Sequence, residues 1–253
     1  ENQSTLEIKG SINNEQITNN GYFSIGATSS LADYMLAIEK FVDLAKKENL
    51  FVDAMHFFVE PGYLSSDIFK VFESFPAKKV AVDYGIETGS EKVARNMGRF
   101  HNMDKIYSDV EILGKTKTVS TAWWLISLPG ETEEDVRLTE KAIIETTDMG
   151  VLTERVSQML LFPQTELYRN RERYDIRAYF HNFQDFMVFS NTERRDNGLY
   201  PELVTHDMPY QTKEDTIKLL RELKKSIRKA TEASPYYEEK TKLGFVLNDY
   251  DFF

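Results

Sequence analysis

The chain has 253 residues, a formal net charge of −10 and no cysteine. An acidic balance of this size argues against a nucleic-acid backbone as partner, since such binding shows a basic stripe. Without cysteine there are no disulfides, thiolate metal sites, cysteine nucleophiles or self-supplied iron–sulfur ligands. No apolar run reaches membrane-spanning length and residues 1–20 lack a signal-peptide pattern, so the cytoplasm is the default location and no membrane partner is expected. A start at Glu1 suggests a processed chain, an excised fragment or a leader upstream.

Residues 1–20 are polar and read as an N-terminal arm. Gly21–Ala27 is a brief buried strand. A helix follows, in which Ile38, Phe41, Val42 and Ala45 recur at helical spacing up to about Asn49. Residues 51–59 form the next strand, 65–74 a short helix, and 79–86 a β-branched strand that opens into Gly85-Ile86-Glu87-Thr88-Gly89-Ser90. Helical patterns over 91–97 and 103–113 lead to a strand over 118–127 containing Trp123 and Trp124. The turn Leu128-Pro129-Gly130-Glu131-Thr132 enters a helix capped by Thr132, whose Glu133, Glu134 and Asp135 complement the dipole. Residues 154–162 are the fifth strand, closed by Pro163.

Strand and helix thus alternate with short connections, the pattern of a parallel sheet with right-handed crossovers. Five strands are too few for a complete eight-stranded barrel. The expected class is α/β, a partial parallel β/α barrel over 21–165, with an extension over 166–253. That extension is aromatic-rich without clear periodicity to about residue 210. A long amphipathic helix then begins at Thr212, and the tail 236–253 has no assignment.

Chemistry in parallel β/α proteins gathers where strand carboxyl ends open into loops. Glu87, Thr88 and Ser90 on one such loop suit hydrogen bonds to a ribose diol, and equally suit an ordinary capped turn. Gly26-Ala27-Thr28 ends the first strand with small and hydroxyl residues that could meet an amino or carboxylate group, or simply cap. Asp53, His56, Glu60, Asp83 and Glu87 bring titratable groups to neighbouring strands. His56 reads best as a hydrogen-bonded core residue. The four histidines, His56, His101, His181 and His206, include no pair at i, i+4, so no metal site is expected.

Three segments together resemble the radical S-adenosylmethionine enzymes, especially the group often fused to cobalamin-binding domains. They are Gly85–Ser90 with the following Ala94–Arg99, Leu125–Asp135 around Leu-Pro-Gly-Glu-Thr, and Leu161–Tyr168. The resemblance covers roughly 20–170 and implies a partial barrel. It implies that Glu87 and Ser90 contact the ribose of S-adenosylmethionine, that Ile126 lines the adenine, and that Leu161 and Phe162 hold its other edge. Gly26, Ala27 and Thr28 occupy the place where the family binds the methionine amino group.

The departures are the missing three-cysteine loop for a 4Fe–4S cluster, no acidic residue in Gly26-Ala27-Thr28, and Ser127 and Gln164 where the family has glycines. The expectation is therefore the C-terminal portion of such an enzyme, inactive by itself. An N-terminal cluster-bearing segment of the same polypeptide would supply the 4Fe–4S ligands. Cobalamin is possible, the partner is a small-molecule or unknown substrate, and the catalytic residues are not assigned. Two alternatives stand beside it: a cysteine-free barrel used as a binding module, and a metal-free hydrolase. The hydrolase needs Glu60 and Glu87 to converge within about 5–10 Å.

Overall fold

The structure, a computed structural model, describes residues 22–26, 31–59, 61, 66–99, 101–196 and 203–243. In chain order the first part runs β1 (Tyr22–Gly26), α1 (Leu31–Lys47), β2 (Val52–Val59), α2 (Ser66–Ser74), β3 (Ala77–Glu87), α3 (Glu91–Asn96), α4 (Met103–Gly114), β4 (Val119–Ile126), α5 (Glu133–Asp148) and β5 (Leu152–Gln158). All five strands pair in parallel and in sequential order, β1-β2-β3-β4-β5. Sequential parallel strands joined by right-handed crossovers place their helices on one face. The contacts agree, because α1 meets α2, α2 meets α4, and α4 meets α5. This is the expected α/β architecture of alternating strands and helices, an open sheet rather than a closed ring.

Strand alternation sorts the side chains. Met55, Phe57 and Val59 of β2, Val82, Tyr84 and Ile86 of β3, and Ala122, Trp124 and Ile126 of β4 join the helix residues in one core. Asp83 and Thr121 then point to the opposite face. There Asp83 meets His56 at 2.8 Å and accepts a hydrogen bond from the Thr121 hydroxyl. His56 is thus a partnered residue, in keeping with its reading as a hydrogen-bonded one.

Beyond β5 lie α6 (Glu166–Arg169), a 3-10 turn (Arg171–Tyr174), β6 (Arg177–Ala178), α7 (Phe183–Asp196), β7 (His206–Asp207), α8 (Lys213–Ala233) and α9 (Tyr237–Lys242). The aromatic stretch builds its own core of Leu161, Ile176, Phe180, Phe186 and Met208. Helix α8 does something else. Its Leu220, Leu223 and Ile227 enter the main core, where α8 packs on α5 and β5. In α9 the fully buried Lys240 donates to the carbonyls of Thr116 and Thr118, just before β4, at 3.0 Å each.

One strand end and one helix depart most from expectation. Strand β5 ends at Gln158 rather than Phe162, because the last bond to β4, from the Met159 N–H to the Ile126 carbonyl, leaves the apolar residues after it to the second core. Helix α7 was not legible, since Phe186 and Phe189 face that local core and give no long apolar stripe.

Candidate functional site

Parallel strands in sequential order bring their carboxyl ends to one rim, so Gly26, Glu87, Ile126 and the chain leaving β5 share an edge of the sheet. Register tightens this: Glu87 is level with Trp124, and Ile126 with Gln158. Among the described residues, five that are not glycine have positive φ. Asn49 and Asp175 are of types that tolerate the left-handed region. The other three are Glu87 (φ 71°), Ser127 (φ 60°) and Gln164 (φ 68°), one at each of three rim loops. Left-handed backbone at such residues costs roughly 1–2 kcal/mol each and persists only where surroundings hold it. Ser127 and Gln164 are also the two positions where the motif expects glycine, and the backbone now supplies the reason.

The first loop is fixed from below. Gly89 lies so close to α5 that a Cβ there would sit 2.4 Å from the Leu138 carbonyl oxygen. The Gly89 N–H donates to the Thr139 hydroxyl at 3.0 Å, and Thr139 also meets the Thr88 hydroxyl at 3.2 Å. Ser90 caps α3 by accepting from the Val93 N–H, while its own proton goes to Asp135 at 2.7 Å. A buried hydroxyl so engaged sets the loop. Glu87 is the loop's outward carboxylate, with Arg99 at 3.5 Å.

Burial works to raise the Asp135 pKa, but bonds from Lys92, Thr132 and Ser90 outweigh it and bring the carboxyl down to about 2. Asp135 also completes a capping box with Thr132 at the start of α5. One carboxylate therefore joins the first and second loops.

The second loop is held from three sides. Asn96 donates to the Pro129 carbonyl at 2.9 Å. One oxygen of Glu131 accepts from the N–H groups of Ser127 (2.6 Å) and Leu128 (3.3 Å). Glu131 is fully buried, its other oxygen has no partner among the described residues, and burial pushes its pKa up to about 8. His206 meets the Ser127 carbonyl at 3.3 Å. The third loop is tied by the Leu161 N–H, which donates to the Thr205 hydroxyl at 2.9 Å.

Measured against the sequence expectation, the rim gathers Gly26, Glu87, Ser90, Ile126, Leu161 and Phe162 at neighbouring strand ends. Ala27, Thr28 and Glu60 lie outside the described residues. Ile126 has its side chain fully buried in the main core, and its backbone is at the rim. Leu161 is buried in the second core, whereas Phe162 is 46% exposed and packs on Phe186 at 5.4 Å. Sequence reading missed the supports Asn96, Glu131, Thr139, Thr205 and His206. Glu131 bonds residues three and four positions back, inside a turn that reads as simple capping; the rim partners of the other four lie 33 to 79 positions away. Among the described residues no group of three or more His, Cys, Asp or Glu could hold a metal ion, and no helix is long and apolar enough to cross a membrane.

No family model matches the chain. A tRNA-2-methylthio-N(6)-dimethylallyladenosine synthase of Lawsonia intracellularis is 31% identical over 96 residues, 36% of this chain. The match spans 21% of that enzyme. Among solved structures, coproporphyrinogen III oxidase (HemN) from Escherichia coli, described as a radical SAM enzyme, is 12% identical with a TM-score of 0.49. The alignment covers 83% of this chain and 41% of that one. Elp3 from Methanocaldococcus infernus is 14% identical with a TM-score of 0.45, over 82% of this chain and 54% of that one.

Proposed function

We propose that this chain is the C-terminal portion of the core of a radical S-adenosylmethionine enzyme, and that its rim holds the adenosyl part of that cofactor. The superfamily is supported by the curated match to the Lawsonia synthase and by three motifs in the family's order. The observation that carries the reading is the left-handed backbone of Glu87, Ser127 and Gln164, one in each motif loop. Strain of this kind concentrates where a ligand is gripped.

The residues fit a nucleoside. Glu87 offers an acceptor for a ribose diol at the end of β3, the backbone of Ile126 and Ser127 offers polar groups to a base edge, and Phe162 offers an exposed aromatic face. Ser90 and Leu161 act from behind, one fixing the loop and the other seating the chain after β5. Gly26, Ala27 and Thr28 remain the place proposed for the methionine amino group. The residues do not fit a 4Fe–4S cluster, since the sequence has no cysteine. Cluster ligands belong to an N-terminal segment of the same polypeptide in this reading, and the chain by itself is inactive.

Bound in the whole enzyme, that cofactor would supply hydrogen-abstraction chemistry toward the substrate. The task of this chain is to orient the nucleoside and exclude water. Membership of the cobalamin-fused subgroup rests on the motif resemblance by itself, as does the cytoplasmic setting on composition.

A thermal-shift series tests the assignment. At tenfold excess over Kd, 5′-deoxyadenosine or S-adenosylmethionine should raise the unfolding midpoint by about 3 °C. Glucose should not, and Glu87→Gln should reduce the shift. Stabilisation by glucose and by neither nucleoside would favour a carboxylate hydrolase instead.

A further inference from the structure

We propose that Thr205 and His206, in the C-terminal extension, form a latch that locks the loop after β4 to the chain leaving β5, making them positioning residues for the base end of the rim. The function served rests on the nucleoside reading above; the latch itself rests on geometry.

The chain of contacts is short and wholly buried. The Leu161 N–H donates to the Thr205 hydroxyl at 2.9 Å, that hydroxyl meets His206 Nδ1 at 3.0 Å, and His206 Nε2 meets the Ser127 carbonyl at 3.3 Å. Thr205, His206, Leu161 and Ser127 are each no more than 1% exposed. Donor and acceptor roles fit in one way for a neutral imidazole. Leu161 gives its proton to Thr205, Thr205 gives its own to Nδ1, and Nε2–H donates to Ser127. Burial lowers the His206 pKa, which agrees with a neutral ring.

Placement gives the latch its purpose. Strand β7 carries His206 and is tied to β6. The Gln158 amide at the end of β5 also donates to the Leu203 carbonyl. Residues 203–206 therefore bridge the ends of β4 and β5 at the two loops that border the proposed base. The residue His206 grips is Ser127, which occupies left-handed backbone where glycine would be relaxed. A hydrogen bond to its carbonyl holds a peptide unit that a serine would otherwise let turn. Glu131 holds the same residue from the N–H side.

Amide hydrogen exchange on the whole chain, with 5′-deoxyadenosine as the binding probe, tests the latch. Thr205→Val keeps shape and removes the hydroxyl; His206→Phe keeps bulk and removes both nitrogens. Both should speed exchange at Leu161 and Ser127 by about fivefold, the loss of roughly one buried hydrogen bond, without changing the β3 amides. Thr205→Ser should restore slow exchange, and serves if His206→Phe fails to fold. Probe affinity should fall by a similar factor in Thr205→Val and return in Thr205→Ser. Unchanged exchange at both loops in Thr205→Val overturns the latch, and faster exchange with unchanged probe affinity overturns its positioning role. If the unmodified chain does not bind the probe, the nucleoside reading fails, and the exchange rates of Thr205→Val against Thr205→Ser decide the latch.

Discussion

At the end of β4 a serine holds a backbone angle that glycine would hold at lower cost. Replacing Ser127 by Gly should stabilise the chain by about 0.5–1 kcal/mol, the left-handed penalty less the added unfolded-state entropy of glycine. Gln164→Gly should do the same, and urea denaturation of both variants checks it. Glu131 makes a pH prediction. Burial raises its folded pKa to about 8 from an ordinary value of 4.5, so between those values the native state binds more protons than the unfolded chain. Its contribution is therefore full below about pH 4.5 and is lost as pH rises towards 8. The expected slope from pH 5 to 8 is about 1.4 kcal/mol per pH unit at most. Glu131→Gln keeps an acceptor for Ser127 and Leu128 and should flatten that slope; an unchanged slope would mean the carboxyl ionises normally.

Elements meet at Gly89, where the loop after β3 rests on the backbone of α5. Gly89→Ala cannot be absorbed by a side-chain rotation, because the contact is a carbonyl oxygen. It should cost about 1–3 kcal/mol, and should disturb amides of both α5 and the loop in a heteronuclear spectrum. This contact also shows what a sequence can convey. The junctions at Glu87 and Ile126 were legible because parallel strands are short apolar runs punctuated by Gly, Pro and capping residues. The glycine was legible as a turn, but not as a point of approach to a helix fifty residues on. Strand β5 ends four residues before the sequence pattern does, since Met159–Phe162 stays apolar after its pairing stops. Helix α9 was invisible for the opposite reason: its anchor is Lys240, a polar residue satisfied by two carbonyls. His206 stood as a lone histidine, because Ser127 is 79 positions away.

Across the described residues, the sheet supplies one rim and the later elements brace it. Asp135 ties the loop after β3 to the one after β4; Thr205 and His206 tie the loop after β4 to the chain after β5. Helix α8 joins the main core, so the extension is bound to the sheet at the rim and along its helical layer. We propose that these three loops surround one adenosyl group. Hydrogen exchange of the chain with and without saturating S-adenosylmethionine tests it most directly. New protection should be confined to residues 87–90, 126–131 and 159–164, on three strand ends at once. Protection at the amino ends of the strands, or at one of the three segments without the others, would contradict it.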